Sequence, residues 1–248
     1  MTEKPLVIAH RGASKEAPEN TLPAFERAKR IGSDGVELDV LPTKDGTLVV
    51  THNEQLAPLT GVKGKVAQFS LKELKAFDFG SHFSPQFKGE KIPTLEEVFD
   101  LFKNEGLINV EIKGINVRGD GREVRLAELI RKWDLAERVI VSSFNVFALR
   151  RMAQVAPEIR RGYLFYEKQI GPSRRGGWAP FLKPYSMHPS KALIRPHTIS
   201  RYHKKGYKCW VWTVNEEEEM KHLIHQHADA IITDRPETLI RLVGKSAS

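Results

Sequence analysis

Acidic, histidine and basic residues fall where hydrophobic runs of this chain end. His10, Arg11 and Gly12 close the run Leu6-Val7-Ile8-Ala9, and His52 follows Leu48-Val49-Val50-Thr51. Glu37 and Asp39 alternate with Val36, Leu38 and Val40, as Glu111 and Lys113 alternate with Val110 and Ile112. A strand sends alternate side chains to opposite faces, so each polar pair projects one way and its apolar neighbours the other. Two carboxylates on one strand face are costly unless a cation or solvent receives them. The pattern points to a metal site flanked by histidines and cationic side chains. A buried salt-bridge network of Glu37 and Asp39 with Arg11 and Lys113, needing no metal, is the alternative.

The elements that must position these residues alternate along the chain. Strands are expected at Leu6–His10, Gly35–Val40, Ile108–Ile112, Val139–Ser142, Arg161–Leu164, Tyr207–Trp212 and Ala230–Ile232, with a less distinct one around Phe181–His188. Helix starts are marked by Thr21, by capping boxes at Ser70/Glu73 and Thr94/Glu97, by Asn215 ahead of Glu216 to Glu219, and by Asp234 before Pro236. Gly32 reads as a helix stop. About eight strands with intervening helices predict an α/β fold, a (β/α)8 barrel spanning 1–248 as one domain. The stretch of about 53–91, after the second strand, is expected to be a small insertion with one short helix. A doubly wound open sheet is the alternative, but His10-Arg11-Gly12-Ala13 is no GxGxxG phosphate loop. In a barrel the chemistry gathers at the C-terminal strand ends, where His10, Arg11, Glu37, Asp39, Glu111, Lys113 and Trp212 all fall.

Composition narrows the partners. No apolar run reaches the roughly 20 residues of a membrane span, and Met-Thr-Glu-Lys-Pro lacks the apolar core of a signal peptide. The lone Cys209 excludes an internal disulfide and fits a cytoplasmic, reducing compartment, with the thiol as buried filler. The net charge of +8 suits an anionic partner. The basic residues are dispersed in pairs, however, without the aromatic-basic repeat of an RNA reader, so no nucleic-acid partner is expected. His188, at a strand end, reads as structural, with a place lining the site as the alternative, while His82, His197, His203, His222, His225 and His227 read as surface or packing residues.

Taken in order, HRG at 10–12, PENT at 18–21, DGVELDV at 34–40, TKDG at 43–46 and VVTH at 49–52 resemble the glycerophosphodiester phosphodiesterase family. GSHFSPQFKGEKIPTLEEV at 80–98, NVEIK at 109–113, SSF at 142–144, VWTVN at 211–215 and ITDRP at 232–236 extend the resemblance over nearly the whole chain, most thinly at 167–201. It implies a barrel that hydrolyses glycerophosphodiesters to an alcohol and glycerol 3-phosphate. It further implies His10 and His52 as general acid and base, and Glu37, Asp39 and Glu111 as ligands of one divalent cation. Arg11 and Lys113 would contact the phosphate, and so would Asn20, which could otherwise cap the first helix. Trp212 would form an apolar wall of the site, or else belong to the core.

The implied chemistry is coherent. A bound cation neutralises the phosphate and acidifies a coordinated hydroxyl or water, and an all-oxygen donor set suits Mg²⁺ or Ca²⁺ better than zinc. Two imidazoles divide proton removal and delivery, and arginine offers a planar fork for phosphate oxygens. The chain departs from the family after the second histidine, where Asn53 replaces the usual aspartate. A lysophospholipase D on the same barrel, or a noncatalytic phosphate-binding module, are the rival readings. The first would use Phe165, Trp178, Phe181 and Tyr185 as an apolar mouth; the second would lack a histidine or carboxylate, and none is missing. No aromatic cluster fit to cage a choline ammonium is visible, since Tyr163, Phe165, Tyr166 and Trp178 are scattered. The departing alcohol is therefore expected to face solvent.

Overall fold

Strand alternation builds the barrel. In the computed structural model, which describes residues 4–114 and 117–245, the strands are β1 (Leu6–His10), β2 (Gly35–Pro42), β3 (Leu48–Val50), β4 (Leu107–Ile112), β5 (Val139–Ser143), β6 (Arg160–Phe165), β7 (Ser186–Pro189), β8 (Lys208–Val211) and β9 (Ala230–Thr233). Eight of them form a parallel ring in the order β1-β9-β8-β7-β6-β5-β4-β2, closed by β1 pairing with β2. This is the (β/α)8 barrel expected from the sequence. The short β3 was not among the expected strands; it pairs antiparallel with β2, outside the ring.

The helices are α1 (Leu22–Arg30), α2 (Ala57–Thr60), α3 (Leu71–Leu74), α4 (Leu95–Leu101), α5 (Arg122–Lys132), α6 (Val146–Val155), α7 (Ala179–Leu182), α8 (Thr198–Lys204), α9 (Glu217–His225) and α10 (Pro236–Leu242). Outward residues Val36, Leu38, Val40, Ile108, Val110 and Ile112 pack with Phe25 of α1, Phe99 of α4 and Leu126 of α5. Inward residues Ile8, Ile140, Trp210, Ala230 and Ile232 fill the barrel interior. Burying each such large side chain contributes about 1.5–3 kcal/mol relative to exposure. The insertion holds two short helices, α2 and α3, rather than one. Its Leu56, Val66, Leu74 and Phe79 pack with Leu41 and Val49 of the β2–β3 hairpin.

Several local expectations hold and others move. Both capping boxes form, with Glu73 N–H donating to Ser70 Oγ and Glu97 N–H to Thr94 Oγ1. Gly32, at φ 82°, ends α1 as expected. Thr21 occupies the N-cap position of α1, but its hydroxyl donates to the Pro18 carbonyl at 2.6 Å instead of capping. The N-cap of α9 is Glu216 and that of α10 is Arg235, because the Asn215 and Asp234 side chains are bound to each other. The indistinct strand at 181–188 is in fact α7 followed by β7. Lys183, at φ 44°, stops the helix, and the extended chain starts at Ser186.

His188 belongs to the core, as its reading as a structural residue requires. It is fully buried, lies 2.8 Å through Nε2 from Ser186 Oγ, and stacks on Trp210 with ring centroids 5.2 Å apart. The neighbouring strand leaves room only because residue 162 is glycine: a Cβ there would lie 2.5 Å from His188 Nε2. Burial pushes the His188 pKa down to about 3. The unfolded chain therefore binds a proton near pH 6.5 that the folded chain refuses, so stability is full above that pH and falls as the medium is acidified toward pH 3. At pH 5 the loss from this residue amounts to about 2 kcal/mol. Thermal melts from pH 7 down to pH 5 should show a falling Tm, with a flatter slope in His188→Gln. An equal slope in the variant would remove His188 from the acid lability.

Candidate active site

Register brings the polar ends together. His10 pairs with Glu37 across β1 and β2, and Asp39 pairs with Glu111 across β2 and β4. Glu37, Asp39 and Glu111 are all buried, and their ligand oxygens lie within 4.8 Å of one another. The turn after β1 is tightly constrained. Arg11 takes a left-handed φ of 57°, and its N–H donates to the Glu37 carbonyl at 2.8 Å. Gly12 follows at φ 83°, and a Cβ on it would lie 2.6 Å from the Ala24 backbone of α1. Asn20, at φ 59°, donates its N–H to the Arg11 carbonyl, while its side-chain amide donates to Asp39 Oδ2 at 3.0 Å. The HRG and PENT segments thus lock each other in place. Asn20 is neither a helix cap nor part of the cavity wall; it holds a carboxylate from behind.

His10, Arg11, Glu37, His52, Glu111, Lys113 and Trp212 line a single cavity of about 250 Å³. His52 arrives from outside the ring on the β2–β3 hairpin. Arg11 is clamped by both oxygens of Glu19, at 2.9 and 3.0 Å, and approaches Asp39 Oδ2 through Nε at 3.2 Å. Lys113 Nζ is 2.9 Å from Glu111 and 3.4 Å from Asp39. Opposite the acids stands an aromatic side, with Phe144 edge-on to both Tyr166 and Trp212 at centroid distances of 5.6 and 5.3 Å. This cluster was not legible as such, because its members come from three separate connections. Phe165 and Tyr163, by contrast, are buried in the core.

The charges do not balance internally. Burial, then repulsion from Asp39 and Glu111, raises the Glu37 pKa well above the usual carboxylate range. Burial and the Asp39 charge push Glu111 up to about 7 despite Lys113. For Asp39 burial opposes ionisation, but Lys113, Arg11 and His52 outweigh it and hold the carboxyl low. Among the described residues Asp39 Oδ1 also accepts no hydrogen bond. The salt bridges of the metal-free alternative do form, yet they leave Glu37 without Arg11 or Lys113 as an ion-pair partner. Three crowded oxygen donors with that deficit fit a hard divalent cation.

Sequence reasoning missed Asp234, which it read only as a helix opener. Its Oδ1 is 2.6 Å from His10 Nδ1, and Asn215 donates to its other oxygen at 2.7 Å. The hydrogen bonds from His10 and Asn215 hold the Asp234 carboxyl at about 2 although burial acts against ionisation. Asn109, in the cavity wall with both side-chain polar atoms unpartnered among the described residues, was also missed. Its signal was available, since it precedes Glu111 by two positions and so shares its face. His52 has a weaker neighbour, Asn53 Oδ1 at 3.3 Å. Burial, with Lys113 and Arg11, depresses the His52 pKa against the pull of Asp39.

Because burial and the Asp39 charge push the Glu111 carboxyl up to about 7, a divalent cation bound by the cluster would displace protons from it at slightly acid pH. Mg²⁺ or Ca²⁺ affinity should rise from pH 6 to pH 8, with proton release measured by calorimetry in two buffers of different ionisation enthalpy. Binding without proton release across that range would show that the cation sits elsewhere.

Comparison with known proteins agrees with this geometry. The model of the glycerophosphoryl diester phosphodiesterase family matches residues 10–238. A glycerophosphodiester phosphodiesterase of Caldanaerobacter subterraneus is 45% identical, over 98% of this chain and 99% of its own length. The structure of an Oleispira antarctica phosphodiesterase in complex with the product sn-glycerol-3-phosphate superposes with a TM-score of 0.87 at 31% identity, covering 98% of both chains. A Thermotoga maritima glycerophosphodiester phosphodiesterase gives a TM-score of 0.79 at 30% identity, over 97% of this chain and 99% of that one. The chain belongs to the glycerophosphoryl diester phosphodiesterase family.

Proposed function

We propose that the chain, acting as one domain over 1–248 with the 53–91 insertion included, hydrolyses glycerophosphodiesters to an alcohol and glycerol 3-phosphate. The observation that carries this reading is the meeting of three buried carboxylates with two imidazoles and two permanent cations, all but Asp39 lining one cavity. The family membership and the product held by the Oleispira antarctica neighbour support the choice of substrate. Glu37, Asp39 and Glu111 would hold one divalent cation, Mg²⁺ or Ca²⁺. Such an ion, when bound, supplies charge neutralisation of the phosphate and acidifies an oxygen it coordinates.

The remaining work falls to side chains. Lys113 and the Glu19-clamped fork of Arg11 receive phosphate oxygens. Asn20, read from the family as a phosphate contact, acts instead by fixing Asp39. Asp234 accepts the Nδ1 proton of His10, which leaves Nε2 as the nitrogen that moves protons in the cavity. His52, its imidazolium disfavoured by burial and by the adjacent cations, is neutral at pH 7 and able to accept a proton. Together the two imidazoles deprotonate the attacking oxygen and protonate the leaving alkoxide. Trp212, with Phe144 and Tyr166, shields the apolar side of the substrate. That aromatic side also favours a second reading, a diester that carries one acyl chain, as in a lysophospholipase D. The single Cys209, buried and without a disulfide, supports a cytoplasmic setting.

Release of glycerol 3-phosphate from glycerophosphocholine, with and without EDTA, tests the proposal. Activity should vanish with chelation and return with Mg²⁺ or Ca²⁺, and Glu37→Gln should weaken metal binding and rate together. His10→Ala and His52→Ala should each lower kcat by about 10²–10⁴-fold while cation binding survives. Asp234→Asn should lower kcat by about 10- to 100-fold with little change in KM, because the ring loses its orienting partner. Full activity in excess EDTA, after metal removal is verified, rules out the metal role.

A further inference from the structure

The charge of this protein is not spread evenly. Residues 166–205 contain nine lysines and arginines against a single acid, Glu167, a net of +8 that equals the net charge of the whole chain. Arg174, Arg175, Arg195, Arg201 and Lys205 line a cleft of about 680 Å³ beside the end of β6. Among the described residues none of these five forms an ion pair. The stretch begins at Tyr166, which also lines the active cavity.

The same side of the barrel carries exposed apolar groups. Connections that leave the C-terminal ends of adjacent parallel strands emerge on one face. Val117 follows β4 at 57% exposure, Phe147 follows β5, and Ile170 follows β6 at 88% exposure, with Trp178 and Phe181 beyond it. The segments bearing Val117 and Phe181 are linked through α6, which itself carries Phe147. Arg151 donates to the Val117 carbonyl at 2.6 Å on one side, and Arg150 lies 5.1 Å over the Phe181 ring on the other. Large apolar side chains in clustered exposure mark an interaction surface. Apolar residues flanked by unpaired cations match the acyl boundary and the phosphates of an anionic lipid surface. No helix among the described residues is long and apolar enough to cross a membrane, so the contact would be peripheral.

We infer that the rim formed by the connections after β4, β5, β6 and β7 docks the protein reversibly on anionic phospholipid bilayers, with the mouth of the active cavity toward the lipid. The apolar tips Val117, Phe147 and Ile170 enter the headgroup layer while Arg174, Arg175 and their neighbours face lipid phosphates. The docking tips and cations named here, Val117, Phe147, Ile170, Arg174 and Arg175, are not among the residues assigned to the reaction proposed above.

The full chain should co-sediment at low salt with vesicles of phosphatidylcholine and phosphatidylglycerol, and much less with phosphatidylcholine alone. Arg174→Gln/Arg175→Gln and, separately, Phe147→Ser/Ile170→Ser should each lower partitioning about tenfold. Both variants should keep the wild-type Tm and the wild-type rate on soluble glycerophosphocholine, which separates this test from that of the catalytic assignment. Equal binding to both vesicle types, or wild-type binding by either variant, overturns the inference. So does retention on duplex DNA equal to that on vesicles, since it would make the face a general polyanion surface.

Discussion

Like charges at Glu37, Asp39 and Glu111 repel, and burial strengthens the repulsion by removing the water that would screen it. The rest of the site can be understood as the set of devices that make this crowding tolerable. Arg11 and Lys113 lie against Asp39, and Asn20 donates to it from behind. His10 Nε2 lies 3.8 Å from Glu37. These partners keep Asp39 ionised but oppose the charging of all three acids together, a deficit that one more cation could fill. The left-handed turn at Arg11 follows from the same need, because its N–H must reach the Glu37 carbonyl while its side chain returns to Asp39. Strain in that turn is offset by the Asn20 hydrogen bond and by the fit of Gly12 against α1.

What the sequence disclosed was whatever the strand period controls. Glu37, Asp39, Glu111 and Lys113 were readable as a group because alternation and strand ends leave them one direction to face. The ring itself followed from the alternation of strands and helices. What escaped was set by contacts between distant segments. Asp234 and Asn215 have the composition of helix caps, and local rules assign them that task. Only closure of the barrel, which brings β9 beside β1, turns Asp234 toward His10. Likewise Phe144, Tyr166 and Trp212 are separated widely in sequence and meet only because β5, β6 and the end of β8 converge on one mouth. The β7 region was misjudged because a four-residue helix and a four-residue strand are both too short to show a period.

The two halves of the cavity are built on different principles. The acidic side hangs on backbone register in β2 and β4, where Asp39 stands opposite Glu111 and Glu37 lies two residues before Asp39. The aromatic side comes from residues just beyond strand ends, where side chains hold one another through edge-to-face contacts worth about 0.5–1.5 kcal/mol per pair. Trp212 adds a tie to the scaffold, donating from Nε1 to the His188 carbonyl at 2.7 Å. Beneath both, Ile8, Ile140, Trp210 and Ile232 seal the interior against water. A rigid apolar floor under a polar rim preserves the low dielectric on which the carboxylates and imidazoles depend.

The β2–β3 hairpin fastens the excursion of residues 53–91 to the barrel at both of its ends. Thr51 N–H donates to the Asp39 carbonyl at 2.9 Å, which fixes the approach to His52 directly to the strand that bears two of the acids. Val50 N–H donates to the Pro93 carbonyl at 2.8 Å, and Val49 bridges Thr94, so the excursion that departs after His52 is fastened again where it returns. Between those two fastenings the chain can grow or shrink while the imidazole keeps its place, since lengthening a loop tied at both ends adds only about 0.6 kcal/mol per doubling. A change of length in this segment beside the mouth would therefore cost the fold little and leave the approach to His52 where the two fastenings hold it.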